Sequence, residues 1–215
     1  MILIFLDMDR APVVVITGQG ATTRIHKESH QIMDVVAMFK PITKWNQPVR
    51  TFKNIPELVR KAFKVATSEK PGATHIELSE DIAGELIDSY KDKLVPLDNS
   101  KVRRPVPDDK VMGKFFNLLK DAKEPVILAG NGCVRKRASK QLRNFCKASG
   151  IGCINTFMAK GSLDMDDPQC LFTIGLSSKD YTSHYLDQSD LIICIGYDLV
   201  EYHPHLWNEK KNKNN

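Results

Sequence analysis

VVVITGQGATTRIHKESHQIMDVVAMFKPITKW, residues 13–45, decides the fold. Val13 to Thr17 are all β-branched, and the run stops at Gly18. A polar segment carrying Gln19, His26, Glu28, His30 and Gln31 follows before apolar residues resume at Ile32. A continuous β-branched run closed by glycine reads as a buried strand that delivers a polar loop. In parallel α/β folds the loop leaving the carboxyl end of a strand meets ligands, because the scaffold fixes it while solvent still reaches it. The stretch therefore predicts a strand over 12–17, a short helix over 33–39, an extended piece over 41–49, and chemistry near the loop between.

Downstream, Pro56 stands in the first turn of a helix whose Val59, Ala62, Phe63 and Ala66 recur at helical spacing while Arg60, Lys61 and Lys64 face out. Lys70-Pro71-Gly72 ends it, a strand over 74–78 follows, and 81–89 closes as a short helix. Three prolines and a basic run then interrupt all periodicity, so the chain divides into a domain over 1–90, a linker over 91–107 and a second domain over 108–215.

In the second domain Asp108 or Asp109 caps a helix with Val111, Phe115, Leu118 and Ala122 at spacings of three and four. A strand over 125–129, the turn Gly130-Asn131-Gly132, a helix over 135–149, a strand over 152–155, a loop over 156–167, a helix over 179–188 and a strand over 191–196 complete it. This alternation implies right-handed crossovers and a parallel sheet with helices on both faces. About three strands make a small sheet. Leu191 to Ile195, apolar on both faces, expects a neighbour on each side, and the reading is of a chain cut at both ends.

Composition narrows the class. With 42% hydrophobic and 27% charged residues in 215, the chain is an ordinary globular protein. The net charge of +5 is spread over helical faces and a lysine-bearing tail, which argues for a solvated surface and against a nucleic-acid partner. No run approaches the roughly 20 apolar residues of a membrane span, and the apolar start Met1 to Leu6 is too short for a signal segment. Cys133, Cys146, Cys153, Cys170 and Cys194 form no C-x-x-C pair and read as small buried hydrophobes of a reducing, cytoplasmic compartment.

Four blocks carry a resemblance. Ala11-Pro12 through Gly18-Gln19, His30-Gln31 with Asp34, Pro41-Ile42-Thr43-Lys44-Trp45-Asn46, and Lys70-Pro71-Gly72-Ala73 leading to His75-Ile76-Glu77-Leu78-Ser79-Glu80-Asp81-Ile82 stand in order over about seventy residues. Together they resemble the thiamine-diphosphate enzymes of the acetolactate synthase and pyruvate oxidase group, most of all the catabolic acetolactate synthases. The resemblance implies an α/β fold: the last part of a parallel-sheet pyrimidine-binding domain, followed by part of a Rossmann-like central domain. It implies decarboxylation of pyruvate and condensation with a second pyruvate to 2-acetolactate, with thiamine diphosphate and Mg²⁺ as cofactors and a dimer or tetramer as the working assembly. Another thiamine-diphosphate 2-keto-acid decarboxylase or a pyruvate oxidase-like enzyme, and a non-catalytic nucleotide- or flavin-binding module, are the rivals.

By the same resemblance, Gln31 and His30 belong to the substrate-facing loop, Gln19 and Gln31 lie near thiamine diphosphate, and Lys44 falls on a recurrent position. The family's activating glutamate would precede residue 1. Its Gly-Asp-Gly motif for Mg²⁺ and diphosphate does not occur in the 215 residues, so the metal ligands are expected elsewhere and the chain is expected to be inactive alone. Gly130 and Gly132 would contact flavin only if flavin is bound. Asp198, where flavin-containing members carry arginine, argues against FAD.

The remaining polar clusters have plainer readings. His26, Glu28 and His30 fit a solvated helix start, and H-x-E-x-H does not bring all three to one helical face for a metal. His203 and His205, with Tyr202 and Trp207, fit a surface loop. Thr182-Ser183-His184 lacks an acid partner for nucleophilic chemistry.

Overall fold

The structure, a computed structural model, describes residues 8–30, 32–87, 106–135, 138–175 and 181–208. It divides into two compact units, Met1–Pro105 and Val106–Asn215. Both are parallel α/β.

Unit 1 is a three-stranded sheet of β1 (Val13–Gln19), β2 (Trp45–Pro48) and β3 (Ala73–Ser79), in the order β1-β3-β2. The register runs from Val13 opposite Ala73 to Gln19 opposite Ser79 on one side, and from Trp45 opposite Thr74 to Pro48 opposite Glu77 on the other. The central strand is therefore β3, and six of its seven residues are buried. β1 corrects the expectation of a buried strand stopping at Gly18: it continues to Gln19, and among the described residues it pairs with β3 alone, with Ile16 63% exposed. Gly18 pairs with Leu78 and would meet nothing within 4 Å if given a Cβ, so it is an ordinary edge residue and no stop.

The helices α1 (Val35–Phe39), α2 (Ile55–Thr67) and α3 (Glu80–Ala83) complete unit 1. Asp34 caps α1, its carboxylate accepting from Ala37 N at 2.8 Å. Pro56 sits in the first turn of α2, as its fixed φ suits. α2 buries Ala62 and Ala66, whereas Val59 and Phe63, expected inward, are partly exposed. The extended piece over 41–49 shortens to β2, because Lys40–Ile42 close a 3₁₀ turn. The helix expected over 81–89 is only α3, and its last two residues lie outside the described set.

Residues opposite one another in parallel strands share a face. One face of unit 1 is apolar: Val14, Trp45, Ile76 and Leu78 pack with Val49, Phe52, Ala62 and Ile82. The other carries Thr17, Gln19, Asn46, His75, Glu77 and Ser79, a polar stripe beneath α1.

Unit 2 comprises α4 (Asp109–Asp121), β4 (Pro125–Ala129), α5 (Asn131–Arg135), α6 (Ser139–Ser149), β5 (Gly152–Asn155), β6 (Cys170–Thr173), α7 (Tyr181–Gln188) and β7 (Leu191–Ile195). Asp108 is the residue that caps α4, accepting from the N–H groups of Lys110 and Val111. α4 buries none of its residues, and Val111 and Leu118, expected on its inner side, are 60% and 59% exposed. The sheet order is β6-β5-β4-β7, all parallel.

Three expectations change here. A fourth strand, β6, exists; its four residues are too few to show a period, Phe172 has φ +64°, and the register with β5 slips between Cys153 and Asn155. The helix over 135–149 is α6, preceded by the separate short α5. Among the described residues β7 is hydrogen-bonded to β4 alone, and its residues are half-buried or exposed.

β4 is buried on both faces, as a central parallel strand requires. Ile127 and Ala129 join Cys133, Leu142, Cys146, Ile151, Cys153, Leu163 and Cys170 on one side; Val126 and Leu128 join Ile154, Ile174, Leu186 and Tyr202 on the other. Four cysteines are thus core residues, and burial pushes the Cys133 thiol up to about 11. Cys194 departs from the expectation: it is exposed on the edge strand β7. A thiol-reactive chromophore should accordingly titrate one thiol per chain under native conditions and the other four only in step with unfolding. Rapid native reaction of more than one would contradict this packing.

Candidate functional site at the carboxyl ends of the strands

A cavity of about 600 Å³ opens at the carboxyl ends of β1, β3 and β2 in unit 1, lined among others by Gln19, His26, Asp34, Arg50, Glu77 and Ser79. Gln19, the last residue of β1, is locked in place. Its Nε2 donates to Met33 O at 2.7 Å and Glu77 Oε2 at 3.1 Å, while its Oε1 accepts from Gly20 N at 3.0 Å. Glu77, 6% exposed, projects from the central strand beside it. The register Thr17 opposite Glu77 and Gln19 opposite Ser79 is what brings these groups together.

The loop after β1 is tied to the loop after β3. Thr22 donates to Asp81 through its backbone N–H at 3.1 Å and its hydroxyl at 2.5 Å, and Arg24 donates to Glu80 at 2.5 Å. The Thr22 hydroxyl holds the Asp81 carboxyl below its ordinary value. His26, on the cavity rim, has φ +70°, a left-handed conformation uncommon outside glycine but one that histidine, like asparagine and aspartate, adopts more readily than most residues.

Of the residues read from the sequence, Gln19 lines the cavity and His30 is exposed outside its walls. Gln31 lies outside the described residues. Lys44 is engaged elsewhere: its Nζ donates to Val65 O at 2.7 Å and Ser68 O at 2.9 Å, closing the carboxyl end of α2. Glu77 joins Gln19 here, and the sequence carries a signal for it. In His75-Ile76-Glu77-Leu78-Ser79 the polar residues fall at every second position, so all three share one face of a strand.

In unit 2 the glycine turn after β4 packs against the end of β7. Gly130 N donates to Ile195 O at 2.9 Å, and Gly132 N donates to Gly196 O at 2.8 Å. A Cβ on Gly130 would stand 2.4 Å from Tyr197 Cα, and one on Gly132 would stand 2.7 Å from Gly196 Cα. The glycines are there because two backbones touch.

Glu201, 4% exposed, fills the mouth of this turn. Both its oxygens accept from Asn131 N at 3.0 Å; Asp198 N donates at 3.1 Å and the Thr156 hydroxyl at 2.5 Å. One carboxylate therefore gathers the segments that follow β4, β5 and β7. In nucleotide-binding turns this position belongs to a phosphate.

The loop after β7 is less superficial than the sequence suggested. Tyr202 is buried with Glu201, and Trp207 Nε1 donates to Tyr202 O at 3.2 Å and Tyr197 Oη at 3.3 Å. His203 and His205 do stay exposed, their Nδ1 atoms 2.6 Å apart. Thr182 and Ser183 are buried, and His184 pairs with Gln188 at 2.9 Å. Among the described residues, no three His, Cys, Asp or Glu side chains are grouped to hold a metal ion. No helix there is long and apolar enough to cross a membrane. A larger cavity of about 830 Å³ lies at the opposite, amino end of the unit 2 sheet. The backbone N–H groups of Lys123 and Glu124 in its lining donate to the Asp190 carboxylate at 2.7 and 3.0 Å.

The family described as "Thiamine pyrophosphate enzyme, central domain" matches residues 112–215, from within α4 through the rest of unit 2. The acetolactate synthase of Bacillus subtilis is 31% identical over 207 residues, 96% of this chain and 36% of its own length. The probable acetolactate synthase large subunit of Methanocaldococcus jannaschii is 33% identical over 194 residues, 87% of this chain and 32% of its own. The chloroplastic acetolactate synthase 2 of Nicotiana tabacum is 31% identical over 190 residues, 88% of this chain and 28% of its own. The chain thus spans about a third of the length of these relatives. Residues 112–215 thus belong to the thiamine pyrophosphate enzyme central-domain family, and the chain through both units is similar to acetolactate synthases.

Proposed function

We propose that the chain forms part of an acetolactate synthase, which decarboxylates pyruvate and joins the remaining two-carbon unit to a second pyruvate. The similarity to proteins of that name through both units, in one order, carries this reading. Unit 1 is taken as the last part of the pyrimidine-binding domain and unit 2 as the central domain, with the boundary in the segment 91–107.

When bound, thiamine diphosphate supplies the carbanion chemistry. The cavity of unit 1 suits its ring end: Glu77 and Ser79 offer an acceptor and a hydroxyl on a buried, polar face, and Gln19 holds Glu77 in one orientation. His30 and Gln31 follow on the loop toward the substrate. The Mg²⁺ and diphosphate ligands come from other parts of the protein, and the working assembly is a cytoplasmic dimer or tetramer.

Unit 2 serves without flavin. Glu201 supports this, because a buried carboxylate already takes the N–H groups that a cofactor phosphate would need, and a second anion there would be repelled. The test is an assay of the full-length protein with pyruvate, thiamine diphosphate and Mg²⁺. A colourless protein forming 2-acetolactate is expected. Acetaldehyde or acetyl phosphate as the main product would assign it to another branch, and a yellow protein with flavin fluorescence would overturn the flavin-free reading.

A further inference from the structure

His75 stands in the middle of the central strand and is fully buried. Its ring stacks on Phe39 of α1, centroids 4.1 Å apart and planes 14° apart. Nε2 lies 2.8 Å from the Thr17 hydroxyl on β1, whereas Nδ1 is buried with no hydrogen-bond partner among the described residues. A neutral imidazole needs one donor and one acceptor contact, and Thr17 serves one of the two nitrogens. Protonation turns both nitrogens into donors and places a charge on the ring, so Nδ1 becomes an unpartnered charged N–H in the interior.

The surroundings offer little relief. From β1 the ring is faced by neutral Val15 and Thr17. From β2 it is faced by Asn46, whose Nδ2 is committed to Val36 O at 2.5 Å. Glu77, two residues along β3 on the same face, gives Oε2 to Gln19. α1 contributes Phe39, with Asp34 capping its start and Lys40 just past its end.

α1 has only five residues, far below the length at which a helix stands alone. The Phe39 stack and the Asn46 bond to Val36 hold it to the sheet, the Gln19 bond to Met33 O ties the residues just before it to β1, and Asp34 caps it from within. Ile32, Met33, Asp34 and Val36, in and just before α1, line the 600 Å³ cavity. We propose that His75 is a proton-operated clasp: neutral, it holds α1 and the cavity wall over 32–36 against the sheet, and protonated, it lets them go.

Burial lowers the pKa of His75 from its ordinary value. The folded state therefore favours the neutral ring. The clasp is fully closed above about 6.5, the value of an unfolded histidine, and is lost as the pH falls from there toward the lower folded value. It works on α1 whatever the cavity binds.

Hydrogen exchange on the 215-residue chain reads this directly. Protection of the amides of residues 37–40, corrected for intrinsic exchange, should fall between pH 7.5 and 5 by up to about tenfold per pH unit once below about 6. Amides of β4 in unit 2 should not follow. His75→Phe keeps a ring against Phe39 and cannot titrate, so its protection should be flat with pH. Equal pH dependence in wild type and H75F, or none in wild type, would overturn the clasp. Should H75F fail to fold, the His75 ring protons of the wild-type chain decide by NMR: titration below 6.5 is expected, and titration at or above it refutes the proposal.

Discussion

Replacing Glu201 by alanine should destabilise unit 2 by about 3 kcal/mol, a large share of the 5–15 kcal/mol that holds a typical domain together. The carboxylate accepts from Asn131 N, Asp198 N and the Thr156 hydroxyl, and Thr156 is fully buried. Each donor left without a partner costs about 1–3 kcal/mol. Removing the carboxylate also removes its own desolvation cost, which keeps the net near the lower end of the sum. Urea unfolding followed through the core cysteines should show the midpoint falling with the slope unchanged. Glu201→Gln should lie between, because its amide keeps one acceptor but turns an N–H toward Asn131 N. An E201A midpoint within about 0.5 kcal/mol of wild type would mean that water replaces the carboxylate, and the clamp across the three strand ends would be wrong.

Gly130→Ala should be as damaging, for a steric reason. The new Cβ would sit 2.4 Å from Tyr197 Cα and 2.6 Å from Gly196 O, both backbone atoms, against the 3.5–4.0 Å of ordinary contact. No rotamer relieves it, so the β4 and β7 ends must separate by about 1 Å, which weakens the Gly130–Ile195 and Gly132–Gly196 hydrogen bonds. A loss of about 3 kcal/mol follows. Gly113→Ala in α4 is the control: nothing lies within 4 Å of its Cβ position, and alanine in a helix should gain about 0.5–1 kcal/mol. The two variants separate crowding from any general effect of removing a glycine. Because Gly130 and Glu201 act on the same junction, G130A and E201A should also be non-additive in the double variant.

The local reading succeeded where a residue's neighbours in sequence are its neighbours in space. Pro56 opening α2, Asp108 capping α4, and the apolar run Pro125–Ala129 as a strand are all settled within one or two turns of chain. It erred on burial. The run from Val13 to Thr17 has the composition of an interior strand, yet among the described strands it lies at an edge; the strand that takes the centre, β3, is the one carrying histidine, glutamate and serine. Composition reports what a strand tolerates on its faces, while its place in the sheet depends on partners 58 residues away.

The candidate site divides the same way. Gln19 and the glycine turn could be found from the sequence, because a strand end and a G-x-G are local patterns. Glu77 and His75 acquire meaning only when β3 lies beside β1, and Glu201 only when a residue 70 positions from Asn131 folds back over it. By itself the sequence determined the α/β class, the positions of most helices and strands, and the family blocks, since these rest on periodicities of two and 3.6 residues and on motif order. The tertiary structure alone decided which strand is central, which polar groups share a cavity, and that a carboxylate of the chain stands where a cofactor phosphate could. Those are outcomes of long-range register, and no short window of sequence contains both partners.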